Sequence, residues 1–254
     1  MSLLEVSGLS KRFGGLKAVD QVSFQVARGT IKSVIGPNGA GKTTLFNIIS
    51  GFLPPDSGKV IFQNQPVQGI KPHQAAARGI ARTFQHIRLF PKMTVMENVM
   101  MGRHMHTRAG FFAGMLRLPW TRREAGETES KCRDLMDLLG VQDLAGREAT
   151  SLPYGQQRIV ELTRAIACEP VLLLLDEPAA GLNMRETEEI SLLIAKIREM
   201  GVTILIVEHD RSLVMNISDR ILVLSSGQAI AEDIPSAIQR NEEVIRVYLG
   251  EEDA

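Results

Sequence analysis

The chain has 254 residues, 44% hydrophobic and 23% charged, and its 29 Lys+Arg balance its 29 Asp+Glu. That composition suits a folded protein with a sizeable core, and it lacks the basic excess that points to nucleic acid as the main partner. No stretch approaches the roughly 18 consecutive apolar residues that cross a bilayer, and Met1–Glu5 lacks the basic and apolar regions of a signal peptide, so any membrane association is expected to be peripheral.

In chain order, Leu3–Val6, Val22–Val26 and Ile31–Ile35 are short and rich in β-branched or aliphatic residues, with Gly14-Gly15 and Arg28-Gly29 between them, and read as strands. After Ile35 comes the glycine-rich run Gly36–Gly41. Thr43–Ser50 then carries Leu45, Ile48 and Ile49 at helical spacing, with Gly51 as the stop. From about Leu89 to Ala167 strand-like runs are missing, and the segment is expected to form a helical subdomain broken at Gly110, Gly114, Pro119 and Gly140. Cys132 and Cys168 make no close-spaced pair and read as buried free thiols of a reducing cytosol. Val171–Leu175 and Val202–Val207 are uninterrupted aliphatic runs flanking an amphipathic helix at Arg185–Met200. Such strands must be buried on both faces, which makes the core α/β with a parallel sheet.

The chemistry starts at Gly36-Pro37-Asn38-Gly39-Ala40-Gly41-Lys42-Thr43, which fits the P-loop pattern G-x-x-x-x-G-K-[ST] between a strand and a helix. Glycines let successive backbone N–H groups turn toward phosphate oxygens, Lys42 brings positive charge to the β/γ-phosphates, and the Thr43 hydroxyl suits Mg²⁺, with Thr44 beside it. A second metal anchor is expected as a carboxylate ending a buried strand, and Leu172–Asp176 supplies Asp176. The adjacent Glu177 can then orient or deprotonate the attacking water. Without the P-loop, Asp-Glu-Pro reads better as a strand-ending turn.

From these motifs outward the chain resembles the ATP-binding subunits of ABC transporters over nearly its whole length. Leu152-Pro153-Tyr154-Gly155-Gln156 matches the place of the family's signature L-S-G-G-Q, Gln85 in Thr83-Phe84-Gln85 matches the Q-loop, and His209 in Val207-Glu208-His209-Asp210 the switch histidine. Ala180-Gly181-Leu182-Asn183 stands at the D-loop, and Phe13 where the family places an aromatic ring against adenine. The resemblance implies one ABC ATP-binding domain over residues 1–254: a P-loop NTPase core, an antiparallel β subdomain, an inserted helical subdomain at about 89–167 and a helical tail at about 235–254. It also implies ATP and Mg²⁺ as cofactors, with Thr43, Gln85 and Asp176 at the metal, Glu177 and His209 catalytic, and Tyr154, Gly155 and Gln156 completing the site of a second ATPase subunit in a head-to-tail dimer. The implied partners are membrane permease subunits at the cytoplasmic face of the cell membrane.

Three departures stand out. Pro153 replaces the signature serine and removes a hydroxyl and a backbone donor, Tyr154 replaces a glycine and Asn183 an aspartate, so the partner ATPase is expected to be a non-identical paralogue. L-P-Y-G-Q-Q-R, D-E-P-A-A-G-L-N, F-Q-H-I-R-L-F and Tyr248-Leu249-Gly250 look most like the branched-chain amino-acid uptake branch. Rival readings are an ABC ATPase for another substrate, a soluble ABC ATPase acting on ribosomes or DNA, a GTPase or kinase, and a non-hydrolysing module. A single ATPase half, the missing N-K-x-D pattern and the intact Glu177 and His209 argue against the last three. Met93, Met96 and Met100 recur at helical spacing, followed by Met101, Met105, Phe111-Phe112 and Met115-Leu116. They read either as subdomain core or, for Phe90, Met93 and Met96, as a groove beside Gln85 for a permease helix, with Arg88 and Lys92 facing acidic groups.

Overall fold

The computed structural model describes residues 2–106 and 119–249. In chain order they form β1 (Ser2–Phe13), β2 (Leu16–Ala27), β3 (Ile31–Ile35), α1 (Lys42–Ile49), β4 (Ser57–Phe62), β5 (Gln65–Pro66), α2 (Pro72–Ala77), β6 (Ile80–Arg82), α3 (Val95–Gly102), α4 (Pro119–Leu138) and α5 (Tyr154–Ala167). There follow β7 (Leu172–Asp176), α6 (Met184–Glu199), β8 (Thr203–Val207), α7 (Arg211–Ile217), β9 (Arg220–Ser225), β10 (Gln228–Asp233), α8 (Pro235–Ile238) and α9 (Glu242–Leu249). Two compact units result, one from the segments up to Arg82 and from Val171 onward, the other from Thr83–Pro170.

The first unit holds both sheets. Its six-stranded sheet has the order β10-β9-β3-β8-β7-β6, parallel except for the edge strand β10. β7 and β8 are buried along their whole length, as their unbroken apolar runs require. One face packs with Leu45, Phe46, Ile48 and Ile49 of α1 against the four-stranded antiparallel sheet β2-β1-β4-β5, through Leu4, Val22, Phe24, Val60 and Phe62. On the other side Ile35, Ile221 and Val223 meet Val214 of α7, Ile238 of α8 and Val244 of α9, so the tail helices seal the core.

One difference from the sequence reading has a local cause. The strands expected at Leu3–Val6 and Val22–Val26 are the apolar parts of a long hairpin, because register shifts at Val6/Leu9 and Leu9/Lys11 break the alternation that marks a strand. β9 carries an apolar run like those of β7 and β8 and was legible by the same criterion.

In the second unit, α3, α4 and α5 pack around Val95, Met96, Val99, Cys132, Met136, Leu152 and Val160. The unit spans Thr83–Pro170. Thr94 and Glu97 form a capping box that starts α3 at Val95, so Met93 precedes the helix rather than sharing its face. Met96 is only 9% exposed and belongs to the core, which removes it from the expected groove; Phe90 is 43% exposed. The expected break at Pro119 is the first residue of α4, where a missing N–H costs nothing. Gly110, Gly114, Phe111-Phe112, Met115-Leu116 and Gly250 lie outside the described residues.

Both cysteines are free, and burial pushes each thiol up from its ordinary value. Less thiolate is present at neutral pH, so alkylation of Cys132 and Cys168 in the folded protein is expected to run at least about tenfold slower than after denaturation. Timed iodoacetamide labelling with mass spectrometry checks this, and equal rates before and after unfolding contradict it.

Candidate active site

Three neighbouring parallel strands, β3, β8 and β7, end on one edge of the sheet, and the loops that follow them carry the sequence-predicted groups. Chain entry to α1 demands glycine. Gly36 has φ +151, and a Cβ there would lie 2.0 Å from Leu224 O; Gly41 caps α1 at φ +99, and its Cβ would lie 2.2 Å from Ala18 O. Only a side chain of hydrogen fits either position. Gly36–Thr44 thus forms a cradle around the first turn of α1, whose leading N–H groups have no partner within the helix. The buried Lys42 ammonium donates to Gly36 O and Pro37 O at 2.5 and 2.7 Å, inside the loop, while Asn38, Gly39 and Thr43 are exposed and Ala40 is buried.

Asp176 ends β7 almost buried, and its Oδ2 accepts from Arg82 at 2.7 Å. The same guanidinium donates to Asn47 Oδ1 of α1 and to Ser50 Oγ at its C-cap, both at 2.8 Å, so Arg82 ties the carboxylate to the helix that follows the P-loop. A planar fork suits this three-way task in a way that an ammonium does not.

Glu177 sits at φ +48, a left-handed conformation that costs a non-glycine residue about 1–3 kcal/mol and persists where surroundings enforce it. Here Glu177 N donates to Val207 O at 2.8 Å, and Glu177 O accepts from Ala180 N at 3.1 Å. Its Oε1 lies 2.9 Å from His209 Nε2. Glu208, one residue earlier, is buried and accepts from the backbone of Ala179, His209 and Asp210. Burial raises its carboxyl above the usual range, and those N–H groups oppose the rise.

Phe13 is half exposed at the end of β1, with the Lys11 ammonium 6.0 Å from its ring. Gln85, Tyr154, Gly155 and Gln156 belong to the second unit, where Gln85 and Tyr154 are exposed and Gly155 is buried at the start of α5. Pro153 is the N-cap of α5 and offers no side-chain cap. Asn183 caps α6: its side chain accepts from Glu186 N at 3.1 Å while the Glu186 carboxylate accepts from Asn183 N at 3.0 Å.

A profile for ABC transporters matches residues 19–180. The chain belongs to the ABC transporter family. LivG of Escherichia coli strain K12, a high-affinity branched-chain amino acid transport ATP-binding protein, is 46% identical over 250 residues, covering 98% of each chain. A protein of the same description, BraF of Pseudomonas aeruginosa, is 45% identical over the same shares. A protein of Archaeoglobus fulgidus described as a probable branched-chain amino acid transport ATP-binding protein is 37% identical over 100% of this chain and 98% of its own. A profile described as branched-chain amino acid ATP-binding cassette transporter matches residues 230–254. Among solved structures, the ADP conformation of an ABC transporter's ATP-binding cassette superposes with a TM-score of 0.85 at 32% identity, over 98% of this chain and 99% of the other. A nucleotide-free cassette gives 0.84 at the same identity and coverage. As an ABC cassette the protein binds nucleotide and hydrolyses ATP.

The residues present fit such a ligand. The loop needs glycine at Gly36 and Gly41 to pass Leu224 O and Ala18 O, and one buried carboxylate with one exposed hydroxyl suits Mg²⁺, which takes few protein ligands and keeps phosphate oxygens. Arg82 and Glu208 were not anticipated from sequence. The only signal for Glu208 was an acid directly after an apolar strand, and Arg82 had none, because its partner lies 94 residues away. Asn183 caps a helix as well as aspartate does. Asn183→Asp is therefore expected to leave thermal stability nearly unchanged, and Asn183→Ala to cost about 1 kcal/mol. Chemical denaturation measures both, and a neutral Asn183→Ala overturns the capping assignment.

Proposed function

We propose that this chain is the ATP-hydrolysing subunit of an importer for branched-chain amino acids, driving a separate membrane permease from the cytoplasmic face. The observation that carries the catalytic part is the Glu177–His209 contact beside the P-loop, at the ends of adjacent parallel strands. Similarity to the transport proteins of E. coli and P. aeruginosa, together with the match over residues 230–254, supports the substrate class.

In this reading the N–H groups of Gly36–Thr44 and the Lys42 ammonium hold the β- and γ-phosphates, and Phe13 stacks on adenine. Thr43 and Asp176 would hold Mg²⁺, which when bound would neutralise phosphate charge, and Gln85 is the further metal or water contact that the resemblance implies. Arg82 keeps one Asp176 oxygen occupied, which leaves the other for the metal side. Glu177 accepts the proton from the water whose oxygen attacks the γ-phosphorus, and ADP departs as the bond to its β-phosphate oxygen breaks. His209, hydrogen-bonded to Glu177, fixes the carboxylate and then orients the γ-phosphate. Tyr154, Gly155 and Gln156 serve the nucleotide of a second ATPase subunit, a non-identical paralogue that supplies the serine hydroxyl missing at Pro153. Phe90 and Met93, with Arg88 and Lys92 nearby in sequence, form the surface offered to the permease.

The test is transport and turnover in vesicles holding this chain with its copurified permease and ATPase partner. Glu177→Gln keeps size but loses basicity, so ATP binding is expected to persist while hydrolysis falls at least about 100-fold. Wild-type turnover in that variant refutes the assigned base. Lys42→Ala is expected to weaken ATP binding itself, and unchanged affinity refutes the P-loop reading. Wild-type vesicles that hydrolyse ATP without accumulating leucine, isoleucine or valine overturn the substrate class.

A further inference from the structure

The second unit contains a buried charge pair that none of these roles uses. Arg158 and Glu161, one turn apart on α5, are joined at 2.9 Å, and their side chains are 0% and 1% exposed. Desolvating two charges is costly, and such a pair is tolerated only when its geometry is good and its remaining hydrogen-bonding capacity is filled. That capacity goes largely to one stretch of chain. The two Arg158 terminal nitrogens donate to Phe84 O at 3.0 Å and Gln85 O at 2.9 Å, and Glu161 Oε1 accepts from Arg88 N at 3.2 Å. Residues 83–94 contain neither helix nor strand, so their backbone polar groups need partners from elsewhere. α5 supplies them at Phe84, Gln85 and Arg88, while Asn98 of α3 bonds Phe90 N and O.

The same arginine reaches the other end of the unit's candidate machinery. Its Nη2 lies 3.2 Å from the Tyr154 hydroxyl, with the guanidinium 5.8 Å from the ring. A phenol thus stands in the signature segment where the family pattern has glycine, and it stands on Arg158. Two successive carbonyls, a carboxylate and a phenol around one rigid fork leave it little freedom to reorient, whereas a lysine offers a single point charge on a flexible stem.

We propose that Arg158 is a positioning residue that couples the Gln85 loop to the signature segment, passing displacement of the Phe84-Gln85 backbone to Tyr154 and the start of α5. This rests on the reading of Gln85 and Tyr154–Gln156 as nucleotide contacts. It makes the state of one subunit's own nucleotide, sensed at Gln85, visible at the surface that serves the second subunit.

Hydrogen exchange with and without MgATP tests it on the full chain, diluted until sedimentation shows monomer so that no second subunit shields the signature. Three segments are followed: 36–44, 84–88 and 150–156. The wild type is expected to respond to ATP in all three. In Arg158→Lys, and in Arg158→Leu/Glu161→Met, which removes both buried charges at similar volume, the 36–44 response should persist. Exchange at 84–88 should quicken, and the 150–156 response should fall at least about fivefold. Tyr154→Phe, which keeps the charge pair and its folding, should weaken the 150–156 response without quickening 84–88. A signature response equal to wild type in these variants overturns the coupling role, as does a wild-type signature segment that ignores ATP. If 36–44 itself fails to respond in the wild type, the nucleotide-site reading is what fails. Should the two Arg158 variants lose their circular dichroism signal, the Tyr154→Phe result alone decides.

Discussion

The P-loop, Asp176, Glu177 and His209 all depend on parallel strands being buried on both faces. A parallel sheet needs covering layers, and its crossover connections return every strand in the same direction, so the carboxyl ends of β3, β8 and β7 share one edge. The turn after β3 meets an α-helix N-terminus, the end of β7 and the residue after it present two acids, and the turn after β8 presents a histidine. Only loops need chemistry once the sheet has set their origin. The apolar cost of assembling this edge is met elsewhere, by α1 and the antiparallel sheet on one side and by α7, α8 and α9 on the other.

Precision at that edge comes from buried polar side chains that take backbone or carboxylate partners from different segments. Arg82 joins Asp176 to α1, and Glu208 joins the turn at Ala179 to the turn at His209. Each lies in a site of low dielectric, where a satisfied contact is strong and an unsatisfied one is costly. Glu177 shows the consequence: a non-glycine residue held at φ +48 between Val207 and Ala180, with its carboxylate already at His209. Strain there is compatible with a preorganised base and is sustained by the strands on either side.

The parts legible from sequence are those in which local chemistry alone decides. Gly36 and Gly41 announce themselves because their backbone conformations and neighbours exclude a Cβ, and β7 and β8 because a strand covered on both faces must be continuously apolar. β1 and β2 were read short because bulges disturb the two-residue period, and Met93 was assigned to a helix because a capping box at Thr94 sets the start two residues later. Arg82 and Arg158 left no trace, since what defines them is a partner 94 or 73 residues distant. Sequence spacing encodes faces of elements; it does not encode which buried arginine meets which carbonyl.

The three departures from the signature and D-loop patterns separate on the same grounds. Asn183 keeps the function of its position, since a side-chain oxygen at an N-cap is all that the start of α6 requires. Pro153 withdraws one N–H and one hydroxyl at the cap of α5, but the helical positions Tyr154, Gly155 and Gln156 retain their leading N–H groups, so the donor end of the helix is reduced rather than lost. Tyr154 adds something instead: a phenol bound to a buried guanidinium that also holds the Gln85 backbone. The segment has lost two donors at Pro153 and gained, through Tyr154, a bond to the arginine that holds the Gln85 carbonyl. Loss of donors at the cap and gain of a buried anchor are separate physical changes, because the first alters what the helix end offers to a ligand and the second alters how firmly that end is held to the Gln85 backbone.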